Sequence, residues 1–189
     1  EIYLGPDEIR TCCKRFFVQG ERRGDVVLKK VQPNEEITPE KILKEKQRLF
    51  KKINSGEEND CDGCPFLESK EWDELDELSI KHISFEYHSV CNMKCTYCSD
   101  TYNGGLKSQY DVPKLFSDLL NEGALSNCNS VVWGGGESSI DQNFKELISE
   151  VSDNLELSSH RVLTNALEYN DEIKKLLDMR VLDITTSID

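Results

Sequence analysis

Three cysteines stand at Cys91, Cys95 and Cys98, spaced Cys-x3-Cys-x2-Cys within one short stretch. Thiolate sulfur is a soft donor, and three thiolates on one loop suit iron or zinc. A structural zinc site closes its tetrahedron with a fourth ligand. The nearest candidate is His88, three residues upstream, but a histidine at a strand end is more simply structural. Three thiolates with no local fourth predict a cluster with one coordination position open, the mark of a catalytic metal. A second group comprises Cys12, Cys13, Cys61 and Cys64. The x2 spacing lets Cys61 and Cys64 converge on one metal, whereas adjacent Cys12 and Cys13 on a strand point to opposite faces, so one of that pair is the better ligand. Iron–sulfur and zinc both remain open for this front site. Cys128 precedes an apolar run and reads as a small buried hydrophobe. His82, His88 and His160 show no ligand spacing and read as structural.

The elements around the cysteines alternate from about residue 80. His82 to His88 reads as a strand, followed by a helix capped by Asp111 and stopped by Gly123. The Ser130 to Trp133 segment is a short buried strand, and Asp141 is expected to cap the helix carrying Phe144, Leu147, Ile148 and Val151. Arg161 to Thr164 is a third strand, Asn170 caps a further helix, and Val181 to Ile188 is a fourth strand. Such alternation implies parallel strands joined by right-handed crossovers, with chemistry just past the strands' C-terminal ends. Cys91 lies past the first of those ends. The front segment reads as short strands from Ile2, Ile9 and Asp25. Its helix begins at Thr38 and Pro39, presents Ile42, Leu43, Leu49, Phe50 and Ile53 on one face, and ends near Gly56.

Cys91, Cys95, Tyr97 and Cys98 together resemble the CxxxCxΦC motif of the radical S-adenosylmethionine (SAM) superfamily. Three further features fall in the family's order. Trp133, Gly134, Gly135, Gly136 and Glu137 end the second strand where the family carries GGE. Thr164 and Asn165 end the third, resembling TNG, and Ser187 and Asp189 end the fourth, resembling SxD. The resemblance covers residues 80–189. It implies a partial parallel (β/α)6 barrel with four strands present, hence a chain truncated at its C-terminus. It implies a [4Fe-4S] cluster on Cys91, Cys95 and Cys98 that cleaves SAM reductively to methionine and a 5′-deoxyadenosyl radical, which abstracts hydrogen from a substrate. It further implies SAM contacts from Tyr97, Gly134, Gly135, Gly136, Glu137, Asn165, Ser187 and Asp189, and a reductase, flavodoxin or ferredoxin as electron donor. Two positions depart from the family: Ser138 replaces the usual proline after the glutamate, which bears on loop rigidity, and Ala166 replaces the glycine of TNG. Residues 1–67 resemble a SPASM or twitch auxiliary cluster module, with Cys12, Cys13, Cys61 and Cys64 as its metal ligands. Family members with such modules often modify peptides or proteins, which makes a peptide the expected substrate class.

The organisation expected is therefore an α+β cysteine module over 1–67, an acidic linker over 68–79 and an α/β radical SAM core over 80–189. Charge supports a division: residues 1–60 carry a net +1 and residues 61–189 a net −14, within a total of −13 over 189 residues. A chain this acidic disfavours nucleic acid as a partner. A mean hydropathy of −0.56 excludes a membrane protein of helical type. No leader opens the sequence, so the thiols are expected to be reduced, in the cytoplasm. The competing reading is a non-catalytic iron–sulfur or zinc-binding module. It gives no use to a glycine-rich strand end beside an open metal site.

Overall fold

The computed structural model describes residues 1–12, 14–68, 74–98, 104–168 and 170–186. Within them, helix α1 (Pro39–Ser55) starts where Thr38 Oγ1 accepts the Lys41 amide, with proline at the first turn. It stops at Gly56, whose φ of 71° supplies the left-handed cap. Helix α2 (Val112–Asn121) is capped by Asp111, and α4 (Asp171–Asp178) by Asn170, whose side chain accepts from the amides of Glu172 and Ile173. Helix α3 (Phe144–Asn154) departs from expectation. Asn143 holds its N-cap position without a side-chain bond. The Asp141 carboxylate lies two residues too early and instead accepts the Tyr87 hydroxyl at 2.9 Å and the Asn143 amide at 2.9 Å.

The strands are β1 (Ile2–Leu4), β2 (Glu8–Arg10), β3 (Arg15–Val18), β4 (Glu21–Gly24), β5 (Val27–Lys30), β6 (His82–Phe85), β7 (Ser130–Trp133), β8 (Ser159–Thr164) and β9 (Asp183–Thr186). One seven-stranded sheet runs β5-β2-β1-β6-β7-β8-β9, and β3-β4 forms a separate hairpin. From β1 through β6, β7, β8 and β9 all neighbours are parallel, while β1–β2 and β2–β5 are antiparallel. The front segment thus contributes β1, β2 and β5 to the sheet that carries the cysteine loop. Ile2 to Leu4 lie against Ile83 to Phe85 in register. β6 is shorter than its sequence suggests, although residues beyond it continue to pair: Glu86 N–H donates to Leu4 O and Gly134 N–H to Phe85 O, both at 2.9 Å.

Ile83, Val131, Val162, Phe85 and Trp133 share the helix-covered side. The Phe85 and Trp133 rings stack at 4.2 Å and 10°, and Phe144 meets Trp133 edge-on at 5.3 Å. Each fully buried large side chain of this core contributes roughly 1.5–3 kcal/mol. Cys128 belongs to the same cluster, as its sequence context predicts. On the opposite side Arg161 and Leu163 are exposed. Arg10, buried, closes that side near β1: its guanidinium lies 3.1 Å from Glu86, 3.4 Å from Glu8 and 3.6 Å from Asp25. Among the described residues no helix is long and apolar enough to cross a membrane.

Candidate metal and SAM site

The cysteine loop leaves the sheet through residues 86–90 and returns at Gly105 and Leu106. Ser89 ties its neck. Its amide donates to Leu106 O at 2.8 Å, its carbonyl accepts the Gly105 amide at 3.2 Å, and its hydroxyl accepts the Leu106 amide at 2.8 Å. Within the loop Cys98 N–H donates to Cys95 O at 3.1 Å. This turn sets the two thiols on one short bend. Cys91, Cys95 and Cys98 are free and partly exposed. Burial first, then the neighbouring Cys95 and Cys91, push the Cys98 thiol above its ordinary pKa. Among the described residues no three His, Cys, Asp or Glu groups already stand as a metal-holding array. The donor set nevertheless fits an iron–sulfur cluster: three soft sulfurs on one loop, electrostatically in contact with each other.

The glycine-rich loop grips the root of that cysteine loop. Gly136 N–H donates to His88 O and Glu137 N–H to Val90 O, both at 2.9 Å. A Cβ at Gly136 would lie 2.0 Å from Val90 O. At Gly135, where φ is +90°, it would lie 2.5 Å from His88 O. A Cβ at Gly134 would meet side chains rather than backbone, Leu163 Cδ1 at 3.3 Å and Glu86 Cγ at 3.8 Å. The close approach that these glycines permit is therefore made first by the chain's own backbone. The Ser138 hydroxyl donates to Gly134 O at 3.2 Å, so a side-chain hydrogen bond closes the turn after the glycines.

Glu137 is only 1% exposed. Its Oε1 accepts the Ser139 hydroxyl at 2.6 Å, the Ser139 amide at 3.3 Å and the Thr164 hydroxyl at 2.9 Å. Its Oε2 accepts the Asn165 amide at 2.7 Å. The carboxylate thus joins the ends of β7 and β8. Asn165 then reaches across to the cysteine loop, its Nδ2 donating to Asn92 Oδ1 at 2.7 Å and to Cys91 Sγ at 3.7 Å. Sequence reasoning did not single out Asn92 or Ser89; their contacts join segments far apart in the chain. Ala166 adopts φ +57°, the left-handed region that glycine favours. Tyr97 is 61% exposed on the cysteine loop. Ser187 and Asp189 lie outside the described residues, as does Cys13.

Two histidines hold hydrogen bonds within the fold, whereas both ring nitrogens of His88 are buried without a hydrogen-bond partner among the described residues. His82 Nδ1 lies 3.0 Å from Ser130 Oγ. His160 Nε2 accepts the Trp133 indole N–H at 2.8 Å, and burial lowers its pKa to about 4. His88 is buried, and desolvation lowers its pKa.

Beside the β3–β4 hairpin, a second CxxC turn repeats the geometry: Cys64 N–H donates to Cys61 O at 3.0 Å. Burial, then Cys64 and Cys12, raise the Cys61 thiol to about 11, which places these three sulfurs within electrostatic reach of each other. Gly63, at φ +75°, seats the turn on Val18 of the β3–β4 hairpin; a Cβ there would meet Val18 Cγ2 at 2.8 Å.

A cysteine loop past the end of a parallel strand, gripped by a glycine-rich strand end, defines an α/β protein with a cysteine-bearing site at its strand ends. The family model described as the radical SAM superfamily matches residues 85–189. That is more than half of the chain, which therefore belongs to the radical SAM superfamily. Membership implies a [4Fe-4S] cluster and SAM. No curated protein and no solved structure gives a significant match.

Proposed function

We propose that Cys91, Cys95 and Cys98 hold a [4Fe-4S] cluster whose open iron takes SAM, and that the chain is the core of a radical SAM oxidoreductase acting on a peptide or protein. The observation that carries this reading is the bracing of the cysteine loop by residues 136 and 137, with Asn165 linking Cys91 to the same loop. When bound, the cluster supplies the electron that cleaves SAM to a 5′-deoxyadenosyl radical. The chain's own residues bind and orient. The backbone of Gly134, Gly135 and Gly136, with Glu137, frames the amino group of SAM, and Tyr97 frames its adenine. Ser187 and Asp189 serve its ribose or carboxylate. The sheet β6-β7-β8-β9 forms part of a (β/α)6 barrel, and a flavodoxin, ferredoxin or reductase delivers the electron.

Cys12, Cys61 and Cys64, with Cys13, form an auxiliary iron–sulfur or zinc site of the SPASM or twitch kind. Three sulfurs drawn from two distant segments support it, and the peptide substrate rests on it. Deprotonating a thiol with a pKa near 11 makes metal uptake at this site favour higher pH.

The test is anaerobic reconstitution of the full chain, with iron, sulfide and zinc analysis and an assay for 5′-deoxyadenosine under strong reductant. Cys95→Ala should remove about four irons and all SAM cleavage. Cys61→Ala should remove only the front metal. Full-length, iron-loaded protein that neither binds nor cleaves SAM under strong reductant would overturn the enzyme reading in favour of the non-catalytic module; failure of the four-strand piece alone would not.

A further inference from the structure

We infer that Asn165 is a positioning residue for Cys91 and raises the reduction potential of the cluster by donating an N–H···S hydrogen bond to that cysteine's sulfur. The inference rests on the proposed cluster. It assigns Asn165 to the cluster rather than to adenosine.

The geometry fixes which way the amide faces. Asn165 Oδ1 accepts the Leu167 amide at 3.0 Å, so the NH2 group must be the end that faces the cysteine loop. Its backbone is held as well, through the 2.7 Å bond from Asn165 N–H to Glu137 Oε2. The NH2 group has two hydrogens and two acceptors in reach, Asn92 Oδ1 at 2.7 Å and Cys91 Sγ at 3.7 Å. The oxygen anchors the amide, which leaves the second hydrogen for sulfur. A thiolate is a stronger acceptor than a thiol, so this bond strengthens once Cys91 is deprotonated by a metal. Reduction adds negative charge to a cluster and its sulfurs, and a donor aimed at sulfur stabilises that added charge. Hydrogen bonds to the sulfurs are among the features that set iron–sulfur potentials. The Met93 amide also points at Cys91 Sγ, at 3.4 Å, and is independent of Asn165. Removing Asn165 therefore removes part of the effect. Because Glu137 holds both the glycine-rich loop and Asn165, the loop proposed for SAM and the sulfur of a cluster ligand share one rigid joint.

The experiment is a potentiometric titration, followed by electron paramagnetic resonance, of the reconstituted full chain as wild type, Asn165→Ala, Asn165→Asp and Asn92→Ala. Asn165→Ala should lower the reduced-to-oxidised ratio at fixed potential about tenfold, equivalent to about 59 mV for one electron. Asn165→Asp should lower it further, because it sets a negative charge against sulfur. Asn92→Ala keeps the N–H donor and should stay within about twofold of wild type. Equal potentials for Asn165→Ala and wild type would overturn the inference. So would an Asn92→Ala shift as large as that of Asn165→Ala, which would make the effect one of loop bracing alone. If the Asn165 variants hold no iron, wild type carrying 15N only in asparagine side-chain amides is measured by pulsed resonance. A 15N coupling to the reduced cluster is expected, and its absence overturns the inference. Wild type that takes up no iron refutes the cluster reading itself and is thereby distinguished from failure of the Asn165 assignment.

Discussion

Gly134, Gly135 and Gly136 are interchangeable in a motif but not in the fold, and alanine substitution separates them. At Gly136 the new Cβ would sit 2.0 Å from Val90 O, roughly 1.3 Å short of an ordinary C···O contact of about 3.3 Å. The neighbour is backbone and cannot rotate aside. Relief requires parting residues 136 and 137 from residues 88 and 90, which breaks two backbone hydrogen bonds of 2.9 Å. Buried groups left without partners cost about 1–3 kcal/mol each, so Gly136→Ala should destabilise by about 3–5 kcal/mol, near the upper end for single substitutions. For a domain of this size that lowers Tm by roughly 10 °C. Gly134→Ala meets side chains alone, the end of Leu163 at 3.3 Å and Glu86 Cγ at 3.8 Å, and should stay within about 1 kcal/mol of the parent. Gly135→Ala, with φ +90° and a 2.5 Å approach to His88 O, belongs with Gly136. Thermal denaturation followed by circular dichroism ranks the three, and iron content after reconstitution reports whether the cysteine loop keeps its root. The reasoning is refuted if Gly136→Ala melts with the parent, or if Gly134→Ala is the most damaging of the set.

Ala166→Gly should stabilise the chain by up to about 1 kcal/mol, since relief of a left-handed alanine, roughly 1–2 kcal/mol, exceeds the added unfolded-state freedom. Urea unfolding measures it, and a loss of stability would contradict the strain assigned to φ +57°. Glu137→Gln places an amide N–H among donors and should cost about 2–3 kcal/mol. A midpoint shift worth less than about 1 kcal/mol would mean that Thr164, Ser139 and Asn165 do not depend on this carboxylate. Acid should weaken the fold through His160, whose folded pKa of about 4 lies below the ordinary 6.5. The unfolded chain then binds a proton that the folded one does not. The contribution is complete above pH 6.5 and falls as pH drops toward 4, by about 3 kcal/mol in all. His160→Gln, able to accept from Trp133 without titrating, should flatten urea midpoints measured between pH 7 and pH 4.5; an unchanged slope would place the acid lability elsewhere.

Local rules made the caps legible. Thr38 with Pro39, Gly56, Asp111 and Asn170 each act within a few residues, and each sits where its side chain or missing Cβ satisfies a helix end. The same rule misplaced Asp141, because an Asx turn and an N-cap use the same acceptor two residues apart. The hairpin β3–β4 escaped notice: its turn is Gln19 and Gly20 with positive φ, preceded by the unbroken apolar run Phe16 to Val18 and followed by the charged run Glu21 to Arg23, so neither strand alternates. The pairing of β1 with β6 left no local trace either, since short apolar strands do not say which partner they choose. In the site, the cysteine spacing and the glycine run stood out because their chemistry is specific to residue type, and Thr164 with Asn165 stood out through the motif they resemble. Ser89 and Asn92 did not, being common polar residues whose bonds depend on where distant segments meet.

The parallel register of residues 2–4 against residues 83–85 also sets a schedule for making the protein. At ordinary synthesis rates β1 waits on the order of ten seconds for β6 to be made. In that interval β5, β2 and β1 can pair only as an antiparallel ribbon, whose β1 edge carries Ile2 and Leu4 beside unpaired amides. Such an edge invites pairing with another nascent chain. The front ribbon gains its parallel neighbour only when the core strand arrives, so yield in the cell should respond to translation speed between residues 30 and 85 as well as to the stability of the finished sheet.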